Sequence, residues 1–316
     1  MNPIPTILTE MPNEVKDIII KVREALENEF PVRAVEGNLV IGSWNIRALG
    51  SFTDKWAAEE GDSPIRDVTS LVVIAEILKR YDVVAIQEIK GDLKAFRHIL
   101  KYLGDDWMFI LTDTTLGDAG NDERLGFLFD ARKIQLSGLA GEVVIPIGEG
   151  YDEMTKQFAR TPYAVSFKSG KATFILLTLH VIYGVNASNR LPELKAIAKW
   201  VKNWSSRISN WGHHLLVLGD FNIDKVGDPL YEAFTGEGLT VPDDLAMIDA
   251  TLFNNEKHYD QIAWYEQGWE NAEQPLKYVK GGKFFFDHYV FEELNKTRLS
   301  WKISDHYPLW VELEVV

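Results

Sequence analysis

Short apolar runs that stop on a polar side chain recur along this chain, and they restrict its fold more than any other feature. "LVIGSW", "VVAIQ" and "FILLTL" end at Asn45, Glu88 and His180, and "LLVLG" ends at Asp220 with Asn222 two residues on. Apolar runs of roughly four to eight residues read as buried strands. Polar groups at several such ends avoid a desolvation cost only where they meet donors or a cation, which points to a shared rim. "RLGFLFD", "YAVSFKSGKATFILLTLHV", "YDQIAWY" and "YPLWVELEVV" add further strands. Helical spacing interrupts them: Val15, Ile18, Ile19, Val22, Leu26 and Phe30 in residues 13–30, then "TSLVVIAEILKRYD" with Thr69 or Ser70 as its cap, then "RLPELKAIAKWVKNWSSRI". Strands that pair as hairpins and strands separated by helices together predict mixed sheets with helices packed outside.

At 316 residues and 46% hydrophobic, the chain has enough apolar surface for a sizeable core, and no Pro-, Gly- or Ser-rich linker divides it. A net charge of −14 argues against holding nucleic acid by bulk charge, so a polyanion has to be met locally. The absence of cysteine excludes disulfides, thiolate nucleophiles and thiolate-ligated zinc, leaving oxygen and imidazole as metal ligands. The N-terminus lacks the pattern of a signal peptide, and no run reaches the roughly 18 apolar residues of a membrane span. A soluble, cytoplasmic protein is expected.

Two further stretches carry chemistry. "ISDHYPLWVELEV" sets Asp305 and His306 before an alternating strand, and "HYDQIAWY" sets Asp260 on a strand where it could fix a histidine's tautomer. Asp220 and Asn222 flank Phe221, so strand alternation would turn both to one face and the ring to the core. His213 and His214 read as surface or packing residues.

In order along residues 38–316, "SWNIRALG", "YDVVAIQEIKG", "ERLGFLFD", "ARTP", "LLTLH", "LVLGDFN", "HYDQIAW" and "ISDHYP" resemble the motif series of the endonuclease/exonuclease/phosphatase superfamily, closest to its deoxyribonuclease I-like nucleases. His180 stands where the apurinic-site endonucleases of that superfamily carry Tyr. The resemblance implies a four-layer α/β/β/α sandwich of two mixed β-sheets over residues 37–316, a single domain, with residues 1–36 as an N-terminal helical extension. It implies that Glu88, Asn45, Asp305 and Asp220 bind a divalent metal, Mg2+, or Mn2+ or Ca2+ in its place.

By the same resemblance His180 and His306 form the acid–base pair, oriented by Glu123 and Asp260. Asp220 and Asn222 complete the catalytic set, in one scheme with Asp220 activating water. Arg160, Asn222, Lys90 and Arg47 contact substrate. The implied activity is endonucleolytic hydrolysis of DNA to 5′-phosphate and 3′-hydroxyl ends, with DNA as the partner, no membrane anchor and no obligate protein partner. The alternatives are a phosphoesterase for small-molecule or lipid phosphates, of inositol-phosphate or sphingomyelin type, and a silent scaffold that keeps the fold. Lys90 and Asn121 stand where the deoxyribonuclease I branch has a groove-reading Arg and Tyr, and "GEGYDEMTKQF" matches its calcium loop only loosely. Of the ten tryptophans, Trp44 is expected nearest the site.

Overall fold

Strand alternation decides the layers. The computed structural model describes residues 11–34, 36–115, 121–144, 158–208, 213–253, 256–265 and 276–316. In β1 (Asn38–Leu49), Leu39 and Ile41 enter one hydrophobic core while Val40 and Trp44 enter another. β2 (Val83–Lys90) divides the same way, with Val83 and Ala85 on one side and Val84 and Ile86 on the other. Both strands therefore lie between two layers, and both read as continuous apolar runs.

The remaining strands are β3 (Trp107–Leu111), β4 (Glu123–Asp130), β5 (Gln135–Glu142), β6 (Tyr163–Ser169), β7 (Ala172–His180), β8 (His214–Asp220), β9 (Asp260–Trp264), β10 (Leu276–Lys283) and β11 (Leu309–Val315). They form a six-stranded sheet in the order β10-β11-β1-β2-β4-β3 and a five-stranded sheet in the order β5-β6-β7-β8-β9. Only β1–β2 and β7–β8 pair in parallel among the described strands, so both sheets are mixed. Helices α1 (Asn13–Glu29), α2 (Val68–Leu78) and α3 (Lys94–Leu103) cover the outer face of the larger sheet. α4 (Leu191–Ile208) and α5 (Pro229–Thr235) cover the smaller one, and the short α6 (Asp243–Ala246) and α7 (Lys296–Lys302) lie in connections. The result is the α/β/β/α sandwich of two mixed sheets. Gln87 Nε2 donates to Thr178 Oγ1 across the two sheets at 3.0 Å, a polar tie just below the strand ends.

Several details differ from the sequence reading. β1 does not stop at Asn45: it continues to Leu49 through a register shift, matched by one in β2. The cap of α2 is Asp67, whose carboxylate accepts from Ser70 N at 2.9 Å, while Ser70 Oγ, one turn inside the helix, accepts in return from Asp67 N at 3.5 Å to close a capping box. β3, β5 and β10 had no clean apolar alternation to betray them, and β5 is an exposed edge. The "GEGYDEMTKQF" stretch lies outside the described residues except for Phe158.

Helix α1 buries Val15, Ile19, Val22 and Leu26 against the α2 layer, each worth about 1.5–3 kcal/mol when fully covered. A second anchor is polar: Arg23 Nε and Nη2 grip the two oxygens of Glu76 at 2.8 and 2.7 Å, and Tyr102 Oη donates to Glu76 Oε1 at 2.5 Å. Burial alone would raise the Glu76 carboxyl, but Arg23, Tyr102 and Lys79 hold it down at about 2. A depressed folded pKa adds stability that is complete above the unfolded value near 4.5 and is lost as pH falls towards about 2. Glu76→Gln is therefore expected to lose on the order of 3 kcal/mol at neutral pH. Urea unfolding should show the gap from the wild type closing between about pH 4.5 and 2; a gap independent of pH would contradict the ion-pair reading.

Candidate active site

At one end of the sandwich the ends of both parallel pairs meet. Within the smaller sheet, His180, Asp220 and Asp260 are direct neighbours in register, β7 against β8 and β8 against β9. The larger sheet brings Asn45, Glu88 and Glu123 to the same end, and the turn before β11 brings Asp305 and His306.

The backbone is forced into this arrangement. Gly219 has φ +147°, and a Cβ there would lie 2.1 Å from Leu179 O, so only glycine lets β7 and β8 approach just before Asp220. Ala48, Glu88 and Asn222 have φ of 47°, 61° and 51°, a conformation that non-glycine residues adopt at a cost. The register shifts after Asn45 and Ile86 re-aim the strand ends. Ala48 N then donates to Glu88 Oε2 at 2.8 Å, and Asn45 Nδ2 donates to Glu88 Oε1 at 3.1 Å and to Asp220 Oδ2 at 2.9 Å.

Asp220 sits at the centre. Its Oδ2 is 3.4 Å from His180 Nε2 and 3.9 Å from His306 Nε2, and its Oδ1 accepts from Asn222 N at 2.9 Å. Burial would raise this carboxyl, but both imidazoles, the Asn222 N–H and Asn45 hold it low. Behind His306, Asp260 Oδ2 accepts from Nδ1 at 2.7 Å. Burial would strip His306 of its proton, yet Asp260, with Asp220 and Asp305, pushes its pKa up to about 10. Behind His180, Glu123 Oε2 lies 3.2 Å from Nδ1 at an angle that falls short of a hydrogen bond. Glu123 also accepts from Arg160 Nε at 2.6 Å and from Lys90 Nζ at 2.9 Å. Against burial, His180, Arg160 and Lys90 hold Glu123 down at about 2.

The expected residues are thus gathered, with some differences in posture. Asn222 lies beyond β8 rather than alternating along it: its left-handed backbone turns its N–H onto Asp220, and its Nδ2 donates to Val181 O at 2.7 Å. Lys90 and Arg160 spend part of their donors on Glu123. Arg47 reaches Asp305 Oδ2 at 3.2 Å and Ser300 Oγ at 2.8 Å, and lies 3.9 Å over the Trp301 ring. Trp44 is fully buried and donates from Nε1 to His306 O at 2.8 Å, so it braces the site from below and has no face for substrate.

Three supports had no signature in the sequence. Ser304 Oγ donates to Asn45 O at 2.6 Å and accepts from His306 N at 3.1 Å and Arg47 N at 3.2 Å, joining β1 to the Asp305–His306 turn. Buried Arg66 donates to four backbone carbonyls, of Arg47, Ala48, Lys302 and Ile303. Burial pulls Arg66 down to about 10, with Glu88 acting against it. Glu193, in the first turn of α4, accepts from Ala159 N at 2.6 Å and Ile182 N at 2.7 Å, fixing the segments that carry Arg160 and His180.

One buried atom tests whether these residues suit a divalent cation. Asn45 Oδ1 has no hydrogen-bond partner among the described residues, although its own Nδ2 joins two carboxylates. An uncompensated amide oxygen beside Glu88 and Asp220 is the hard donor set that Mg2+ prefers, so the residues fit. A tighter carboxylate–imidazole group, Asp220, Asp260 and His306, has ligand atoms within 4.8 Å of one another, but His306 Nδ1 is already bound to Asp260.

A two-sheet sandwich with two carboxylate-backed imidazoles around a third carboxylate is the architecture of a phosphoester hydrolase. Over residues 42–306 the sequence matches the Endonuclease/Exonuclease/phosphatase family, whose members use divalent metals, and the chain belongs to that family. It is similar to a deoxyribonuclease of Thioalkalivibrio sp. (strain K90mix), 24% identical over 299 residues, covering 89% of this chain and 72% of the relative. It is also similar to deoxyribonuclease-1 of Bos taurus, 24% identical over 301 residues and covering 87% and 92% of the two chains. Among solved structures, the human Nocturnin catalytic domain with bound sulfate superposes with a TM-score of 0.58 at 15% identity, covering 89% of this chain and 96% of that one. No helix among the described residues is long and apolar enough to cross a membrane.

Proposed function

We propose that this phosphoesterase is a DNA endonuclease that leaves 5′-phosphate and 3′-hydroxyl ends. The carrying observation is the position of Asp220 between two imidazoles, 3.4 Å from one and 3.9 Å from the other, each backed by a second buried carboxylate. In-line attack of water on a phosphodiester needs a base on the attacking side and a proton donor at the leaving oxygen, and this pair flanks one point from two sides. Asp260 holds His306 with its Nδ1 engaged and Nε2 directed to the Asp220 side, while Glu123 stands 3.2 Å from His180 Nδ1 without closing a hydrogen bond to it. Asn45, Glu88, Asp305 and Asp220 would hold Mg2+. Bound there, the cation supplies charge that offsets the phosphate oxygens and stabilises the transition state. Arg160 and Asn222 would meet those oxygens.

DNA as substrate is supported by the two deoxyribonuclease relatives and by a local charge feature on this acidic chain. Helix α3 contains no acidic residue and exposes Lys94, Arg97 and Lys101 at helical spacing. With His98, Phe52 and two acidic residues, Asp54 and Asp92, they line a cavity of about 550 Å3 immediately beyond Lys90. Such a stripe meets a polyanion locally, as the net charge demands.

A substrate panel of supercoiled DNA, single-stranded DNA, RNA, a phosphomonoester and a phospholipid, each with Mg2+, Mn2+ or EDTA, tests the assignment. DNA cleavage that requires the metal is expected. Turnover of the monoester or phospholipid with DNA left intact would overturn it.

A further inference from the structure

Beside the site stands an exposed aromatic ring that the hydrolytic chemistry does not use. Tyr183, three residues beyond His180, keeps 57% of its surface in solvent, yet its position is fixed. Arg190, only 4% exposed, donates from Nε to Tyr183 O at 2.8 Å and places its guanidinium 4.6 Å from the ring centroid. The same Arg190 donates from Nη1 to Asn222 O at 2.7 Å and to Asp224 Oδ1 at 3.1 Å, so one side chain ties the ring to the Asp220–Asn222 turn.

The loop that carries the ring is equally constrained. Gly184 has φ +66°, and a Cβ there would meet Asn189 Cβ at 2.6 Å. Asn189 Oδ1 accepts from Val185 N at 3.0 Å and Asn186 N at 3.1 Å, closing the turn. The Tyr183 ring stands edge-on to Tyr259 at 6.2 Å, and Tyr259 lies 6.2 Å from the His306 ring. The Tyr183 ring therefore lies within 12.4 Å of the His306 ring, a distance that a few nucleotides of a strand span.

An aromatic ring with a buried cation over it and 57% of its surface still in solvent is suited to stacking its uncovered face against another flat ring. We propose that Tyr183 is a stacking platform for a nucleobase of the strand whose phosphate enters the site. This rests on the nucleic-acid reading above and deepens it: the chain grips an unpaired base near the cleavage point, because a base stacked between its neighbours in a duplex has no free face. The platform is a specificity determinant and takes no part in proton transfer.

The test uses binding, so that it does not depend on cleavage. Fluorescence anisotropy in EDTA compares a fluorescein-labelled six-nucleotide thymidine strand with the same strand built from six abasic sugars, for wild type, Tyr183→Ala and Tyr183→Phe. Base–aromatic stacking predicts that Tyr183→Ala weakens the thymidine strand about tenfold. The abasic strand should bind both proteins equally within about twofold, since its phosphates are unchanged, and Tyr183→Phe should bind as the wild type does. Equal weakening of both strands, no weakening of either, or no binding of the thymidine strand by the wild type would overturn the proposal. Tyr183-dependent binding without DNA cleavage under Mg2+ would uphold the platform while refuting the endonuclease assignment.

Discussion

Replacing His306 by Ala is expected to lower DNA turnover by about a thousandfold, within the range that positioned acid–base groups contribute. The reason is positional as much as chemical. His306 is buried, its Nδ1 lies 2.7 Å from Asp260, and its Nε2 faces Asp220, so alanine removes the one imidazole that Asp260 orients. Asp260→Asn should cost less, about a hundredfold, because the imidazole remains but loses the carboxylate that fixes its tautomer. Both substitutions leave a buried polar group unpaired, which destabilises the fold. His306→Gln, which keeps an amide near Asp260, separates the two effects: a variant that melts like the wild type yet stays inactive supports the catalytic role. Retained turnover in His306→Ala would remove it.

A similarly large effect is expected at Glu88. Its carboxylate is held from both sides, by Ala48 N and Asn45 Nδ2, on a backbone at φ 61° that a non-glycine residue adopts at a cost. With Asn45 Oδ1 left without a partner beside it, the pair presents ready-made oxygen ligands. Glu88→Gln is expected to raise the Mg2+ concentration for half-maximal cleavage about a hundredfold. EDTA should abolish wild-type cleavage outright. Titrating Mg2+ against activity, and against heat of binding, gives the comparison; an unchanged metal requirement in Glu88→Gln would place the cation elsewhere.

The layers and strand ends were legible because burial on both faces writes itself as apolar runs. "LLVLG" and "FILLTL" read as interior strands, and their polar stops marked one shared rim. Asp220, His180 and Asp260 were readable individually, and their adjacency in register follows from pairing that the sequence does not show. Supports such as Arg66 and Glu193 were illegible for a different reason. Each acts through backbone N–H or C=O groups far along the chain, and a backbone partner leaves no mark on the residues it joins. Asn222 shows the limit of alternation: a left-handed backbone after β8 turned an expected strand residue into a turn that clamps Asp220. Trp44 shows another, since closeness in sequence to Asn45 placed it below the site rather than on its surface.

The ends that cleavage leaves test the central assignment most directly. Supercoiled plasmid is incubated with the chain and Mg2+, and the nicked circles are then treated with DNA ligase without kinase or phosphatase. Water attack with departure of the 3′ oxygen predicts circles that ligase reseals, because each nick carries a 5′-phosphate beside a 3′-hydroxyl. Nicks that reseal only after their ends are repaired, or plasmid and single-stranded DNA both left intact, would contradict the assignment.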